Sequence, residues 1–198
     1  MIAALYVASD GPYIGLDGVD PWDAQRDARL YAGPYPVVAH PPCSTWCQLA
    51  AVNRARYGHA IGSDGGCFEA ALASVQRWGG VLEHPAYTIA WARFGLLRPS
   101  RFWQRAIDGT WTCEVSQSAY GHRARKRTWL YYVGDAPPAP LDWRDVDGSA
   151  WVGNNATADA SGTSKPTLSP REAKASPPAF RDALLSLARG ARRRAEAA

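Results

Sequence analysis

No stretch of this 198-residue chain comes near the ~18 consecutive apolar residues of a membrane-spanning helix, although hydrophobic residues make up 46% of it. A membrane-spanning helix is excluded, and a soluble protein without a membrane partner is expected. The opening Met1-Ile2-Ala3-Ala4-Leu5-Tyr6-Val7 has no basic leader and reaches Asp10 too soon for a secretory signal, so the expected place is the cytoplasm of a bacterial host cell. Cysteine is scarce as well. In a reducing compartment Cys43, Cys47, Cys67 and Cys113 do not make a disulfide scaffold. The excess of one charge sign is small: net +4, part of it in Arg189, Arg192, Arg193 and Arg194 at the end of the chain. That permits an anionic partner such as nucleic acid without requiring one. The length suits one domain with a sizeable core.

The most informative run present is Val37-Val38-Ala39-His40-Pro41-Pro42-Cys43-Ser44-Thr45-Trp46-Cys47. A short apolar, β-branched segment reads as a strand. Two prolines stop it, because proline lacks an N–H and fixes φ, and Cys43 is thus delivered into the loop at the strand's carboxyl end. In open α/β sheets ligands bind at that edge. Gly79-Gly80-Val81-Leu82-Glu83-His84-Pro85 repeats the design with a carboxylate in place of the thiol. Tyr120-Gly121-His122-Arg123-Ala124-Arg125-Lys126-Arg127-Thr128 then sets a basic loop before a strand-like Trp129–Val133.

These three segments, in this order, resemble the cytosine-C5 DNA methyltransferases, with their Pro-Cys nucleophile loop, Glu-Asn-Val loop and Gln/Arg-rich strand. The resemblance is closer to a phage and bacterial branch whose pattern is His-Pro-Pro-Cys, Glu-Asn-Pro and Gly-His-Pro-x-x-Lys-x-Thr. It spans about residues 36 to 134. In this chain His84 stands at the asparagine position and Arg123 at the proline position. The resemblance implies a reduced methyltransferase-like, Rossmann-like α/β fold: a twisted, mostly parallel sheet with helices on both faces. It further implies modification of a pyrimidine base in DNA by C5 methylation of cytosine, with S-adenosylmethionine as cofactor. Cys43 would attack C6 and Glu83 would contact N3 and the exocyclic amine. His40, Pro42, Ser44, His84, Pro85, Tyr120, His122, Arg123, Arg125, Lys126, Arg127 and Thr128 would contact the base or the DNA, and a base in duplex DNA would have to be flipped out.

The cofactor region departs from the family. After a first strand over Ala3–Ala8, the loop Ser9–Gly18 lacks the glycine cluster that lets backbone approach the cofactor. Asp10 lies in that loop and is a further candidate contact to the cofactor. Gly18-Val19-Asp20-Pro21-Trp22-Asp23-Ala24 is similar to the acidic second-strand motif, which puts Asp20 or Asp23 in the ribose role; the alternative is a surface turn and a short helix over Trp22–Leu30. A descendant that is independent of S-adenosylmethionine, or that only binds DNA or a pyrimidine nucleotide, is therefore the alternative function. A third reading is zinc-dependent base modification, with His40, Cys43 and Cys47 joined by Cys67, His84 or Cys113 as ligands. The two prolines and the cysteine spacing argue against that ligand set.

Elsewhere, Phe68, Ala71, Leu72, Val75 and Trp78 recur at helical spacing over Gly66–Trp78 behind a Ser63-Asp64 cap. Ser44–Tyr57 reads as a loop entering a helix that carries Arg54 and Arg56, Ala86–Phe94 as a further helix, and Trp111–Ser116 as a strand. We divide the chain into a catalytic α/β domain over 1–134, a flexible Pro/Gly/Ala/Ser-rich segment over 135–177, and a basic helix over 178–198. Within the second, Leu168-Ser169-Pro170-Arg171-Glu172-Ala173 is similar to a Leu-Thr-Pro-Arg-Glu-Ala run found late in the same family. In the third, Phe180, Leu184, Leu185 and Leu187 form the apolar side.

Overall fold

The computed structural model describes residues 1–152 and 165–191. The stretch 153–164 and the terminal Arg192, Arg193 and Arg194 lie outside the described residues. Short apolar runs bounded by Gly and Pro form the seven strands of one sheet: β1 (Ile2–Leu5), β2 (Val19–Trp22), β3 (Val37–Ala39), β4 (Gly80–Pro85), β5 (Gln104–Arg105), β6 (Trp111–Ser116) and β7 (Arg127–Val133). Their spatial order is β2-β1-β3-β4-β7-β6-β5.

The fold is α/β, but the sheet is mixed where a mostly parallel one was expected. β1 pairs parallel with β2 and β3, and β3 with β4. β7 runs antiparallel between β4 and β6, and β5 is antiparallel to β6. The reason is local. A parallel return needs a crossover of a dozen or more residues, usually a helix, whereas only residues 117–126 separate β6 from β7 and they hold no α-helix. In the parallel half the order reverses between β1 and β3, which opens a crevice at their carboxyl ends.

Helices cover both faces, as expected. α1 (Ala50–Tyr57) lies beside the Cys43 loop, and α2 (Cys67–Trp78) packs Phe68, Ala71, Leu72 and Val75 on Val37, Ala39 and Leu82. The N-cap of α2 is Gly66, and the Asp64 carboxylate accepts from the Phe68 backbone N–H in its first turn at 2.8 Å. The short α3 (Ile89–Arg93) adds Trp91 to the same face, and Thr88 caps it. After α4 (Pro170–Lys174), α5 (Pro178–Gly190) buries Phe180, Leu184, Leu185 and Leu187 on Ala4, Val38 and Val81 of the opposite face. Truncating a fully buried side chain such as Leu184 to alanine costs about 2–5 kcal/mol in cores of this kind.

Two details seat the strands of the parallel half. Gly80 has φ +120°, and a Cβ there would fall 1.9 Å from the Val37 carbonyl oxygen, so only glycine lets β4 lie this close to β3. β1 ends early, at Leu5, because Tyr6 turns to φ +60°. Of the two readings for residues 18–30, the strand is the one that forms; no helix covers Trp22–Leu30, and only Ala28–Leu30 makes a 3-10 turn. Within the 135–177 segment expected to be flexible, residues 139–143 make contacts: the Trp103 indole donates to Ala139 O, and Leu141 and Trp143 pack on the second core. No helix among the described residues is long and apolar enough to cross a membrane.

Candidate functional site

The carboxyl ends of β3 and β4 and the start of β7 meet at one edge, which places His40, Cys43, Glu83, Lys126 and Thr128 in a single neighbourhood. β4 runs Gly80–Pro85 with alternate residues on opposite faces. Leu82 and His84 therefore face α2, while Val81 and Glu83 face the other way.

Glu83 is 8% exposed, and a buried carboxylate is tolerated only if it is paired and hydrogen-bonded. It is both. His40 Nδ1 lies 2.9 Å from one carboxylate oxygen, and the Gln117 side-chain amide donates to the other at 3.2 Å. The Gln117 amide also donates to the Thr128 hydroxyl at 2.9 Å. On the far side of the imidazole, the Tyr13 hydroxyl sits 2.8 Å from His40 Nε2. That hydroxyl can donate to the neutral ring or accept from the protonated one. Burial pushes the Glu83 carboxyl up, but the His40 hydrogen bond and the electrostatic pull of His40 and Lys126 outweigh it and hold the group at about 2. Glu83 is thus an ionised carboxylate in a nearly dry position.

Cys43 is half-buried beside this cluster. Its carbonyl accepts from the Trp46 and Cys47 N–H groups at 3.0 and 2.9 Å, so the loop closes into a helical turn straight after the prolines. The Trp46 indole donates to Asp64 at 2.8 Å and its carbonyl accepts from Ile89 N at 2.8 Å, which fixes the loop on both sides. Burial, then the charges of Cys47 and Glu83, raise the Cys43 thiol to about 11, with Lys126 pulling the other way. The resting group is a thiol. Of the neighbours that could have activated it, Lys126 alone among His122, Arg123 and Lys126 acts on it.

The remaining expected contacts go elsewhere. His84 is buried against Phe68 and Trp91 and bonds to the Thr88 hydroxyl at 2.8 Å, which makes it a core residue. The His122 ring bonds within its own turn, to Ala124. Tyr120 packs on Phe180 and accepts from the Asp142 N–H at 2.8 Å. Arg123 pairs with Glu172 at 2.9 Å, Arg125 with Asp145, and Arg127 with Glu114 at 2.5 Å. Pro42 and Ser44 are exposed on the Cys43 loop, and Pro85 ends β4 opposite Thr128. The Lys126 ammonium also reaches the carbonyls of Lys174 and Ala175 at the end of α4.

The residues after β1 and β2 do not fit S-adenosylmethionine. Asp10 pairs with Arg171 at 3.0 Å, Asp20 with Arg26 at 2.5 Å, and Asp23 accepts from the backbone N–H groups of Gln25 and Arg26. Tyr13, in the loop after β1, is 2% exposed and bonded to His40 just past the end of β3, and the loop bearing it is held by the Arg181 bond to Pro12 O. Among the described residues no group of three or more His, Cys, Asp and Glu is gathered closely enough to hold a metal ion.

Two members of the cluster escaped the sequence reading, Tyr13 and Gln117. The only signal for Gln117 was a polar residue placed directly after an apolar strand; Tyr13 in a Gly/Asp/Pro-rich loop gave none. Comparisons with protein-family models, with curated proteins and with solved structures each return no match.

Proposed function

We propose that the chain binds a pyrimidine base of DNA between Cys43 and Glu83 and adds the Cys43 sulfur to C6, in the manner of the cytosine-C5 DNA methyltransferases that it resembles. The observation that carries this is the buried, ionised Glu83 held by His40 and Gln117 beside a half-buried cysteine. Such a carboxylate accepts from the exocyclic amine of cytosine and, once it has taken up a proton, donates that proton to N3. Attack at C6 pushes electrons toward N3 and C5, so N3 must receive a proton as the bond forms. The proton balance closes on the chain's own groups: the Cys43 S–H bond breaks as the S–C6 bond forms, and that proton passes by way of Glu83 to N3. His40, backed by Tyr13, steadies the carboxylate through the transfer. The product is an enamine with a nucleophilic C5, which takes up an electrophile; in water a proton suffices, and reversal of the addition releases cytosine.

That last step gives a test with no methyl donor. A cytosine-containing oligonucleotide incubated with the protein in D2O should gain deuterium at C5, with Cys43→Ser and Glu83→Gln both abolishing the gain. No exchange above the Cys43→Ser background would sink the addition chemistry. A second reading, a binder of DNA or a pyrimidine nucleotide without chemistry, is favoured by the thiol held at about 11. It predicts cytosine-selective binding that Glu83→Gln removes and Cys43→Ser leaves intact. Methyl transfer would require S-adenosylmethionine to displace the Tyr13 loop, and calorimetric titration with that compound checks this directly.

A further inference from the structure

Around the corner from Glu83 lies a groove of about 230 Å3 to which Arg98, Arg101, Arg127, Arg144, Tyr87 and Trp143 contribute. It joins the carboxylate cluster through chain neighbours: Ser116 and Arg127 line the groove, while Gln117 and Thr128 bond around Glu83. Arg127 and Thr128 are neighbours on β7 and point to opposite faces, so the two sites meet at the sheet edge from two sides.

The two carboxylates in the groove are already taken. Glu114 pairs with Arg127 and Asp145 with Arg125, and Arg144 is tied to Asp142. Two cations form no ion pair among the described residues. Arg101 donates to the Trp143 carbonyl, at 2.8 Å from Nη2, and its charge adds to the Arg125 hydrogen bond in lowering the Asp145 carboxyl, while Arg98 makes no hydrogen bond or ion pair with a described residue. Both walls are fixed: Glu114 N donates to Ser100 O at 2.7 Å, and Ser118 Oγ donates to Val146 O. The Arg127 guanidinium lies 4.9 Å over the Tyr87 ring, a cation–π contact.

We propose that this groove is a phosphate track for a single strand of nucleic acid, with Arg98 and Arg101 as the phosphate-binding side chains and the strand continuing over the sheet edge toward Glu83. Its volume is below the ~300–1,000 Å3 of enclosed ligand pockets, so it suits one backbone phosphate and its neighbours better than a whole small ligand. Backbone cations combined with aromatic residues are the arrangement by which single strands are held without sequence preference. The proposal rests on the reading of the chain as a nucleic-acid binder, but uses different residues from the base site.

Fluorescence anisotropy with two labelled twelve-residue oligonucleotides, oligo(dA) and oligo(dC), separates the two. On oligo(dA), Arg98→Ala/Arg101→Ala should weaken binding about tenfold and lower the slope of log K against log salt by about one to two, as expected for two lost phosphate contacts. Glu83→Gln should leave oligo(dA) binding unchanged and weaken oligo(dC) alone. Arg98→Glu alone, at a side chain with no bond to a described residue to lose, should act in the same direction without disturbing the Trp143 segment. Wild-type affinity for oligo(dA) in both groove variants overturns the track. So does dAMP competing with the wild-type complex as effectively as unlabelled oligo(dA), because a strand site draws on several phosphates. Loss of oligo(dA) binding in the groove variants together with no effect of Glu83→Gln on oligo(dC) keeps the track and removes the base site.

Discussion

Two clusters of charge share one edge of the sheet and have opposite physical character. In the basic turn, Arg125 and Asp145 are 43% and 44% exposed and Arg127 is 42% exposed beside Glu114. At the base site, the side chains of His40 and Glu83 are 14% and 10% exposed. The same kind of ion pair interacts far more strongly where water is excluded, because effective dielectric falls with burial. A dense run of arginines therefore marks a solvated surface whose pairs are worth about 0–1 kcal/mol each. A single glutamate closing an apolar strand marks the place where electrostatics has been concentrated.

The contrast is sharpest on removal of one partner. His40→Leu leaves Glu83 buried without its principal donor, and losing one member of a buried pair costs about 3–5 kcal/mol. Chemical denaturation should show a loss in that range, and C5 exchange should disappear with it. Acid probes the same edge. Burial lowers the His84 pKa from 6.5 to about 4, so the unfolded chain binds the extra proton and stability falls as pH drops from 6.5 toward 4. The loss should amount to about 3 kcal/mol, and His84→Asn should flatten it. Gln117→Leu, which strips a donor from Glu83 and from Thr128, should cost about 1–3 kcal/mol in the same denaturation experiment. Arg125→Ala, at the exposed pole of the comparison, should change stability by less than about 1 kcal/mol.

Much of this edge was legible in the sequence. The Val37–Ala39 run before two prolines, the apolar run ending at Glu83 and the helical spacing of Phe68, Ala71, Leu72 and Val75 each carry their own local cause, and each forms nearly where expected. The partners did not. Tyr13 reaches His40 from 27 positions away and Gln117 reaches Glu83 from 34, contacts that no local pattern encodes. The partners of the basic run were hidden for the same reason, since its acids, Asp145 and Glu172, lie 20 and 49 positions downstream. The antiparallel half of the sheet follows from a missing crossover helix, a feature visible only once β6 and β7 are known to be neighbours.

The central claim is that Glu83 is ionised in the folded protein because His40 holds it so. Its direct test is the infrared difference spectrum of wild type against Glu83→Gln, followed through an acid titration of the folded protein. A Glu83 carboxylate signal that persists well below the ordinary 4.5, down toward about 2, is what the structure predicts, with His40→Leu shifting its loss to higher pH. A Glu83 carboxyl already protonated at pH 5 in the wild type would contradict it.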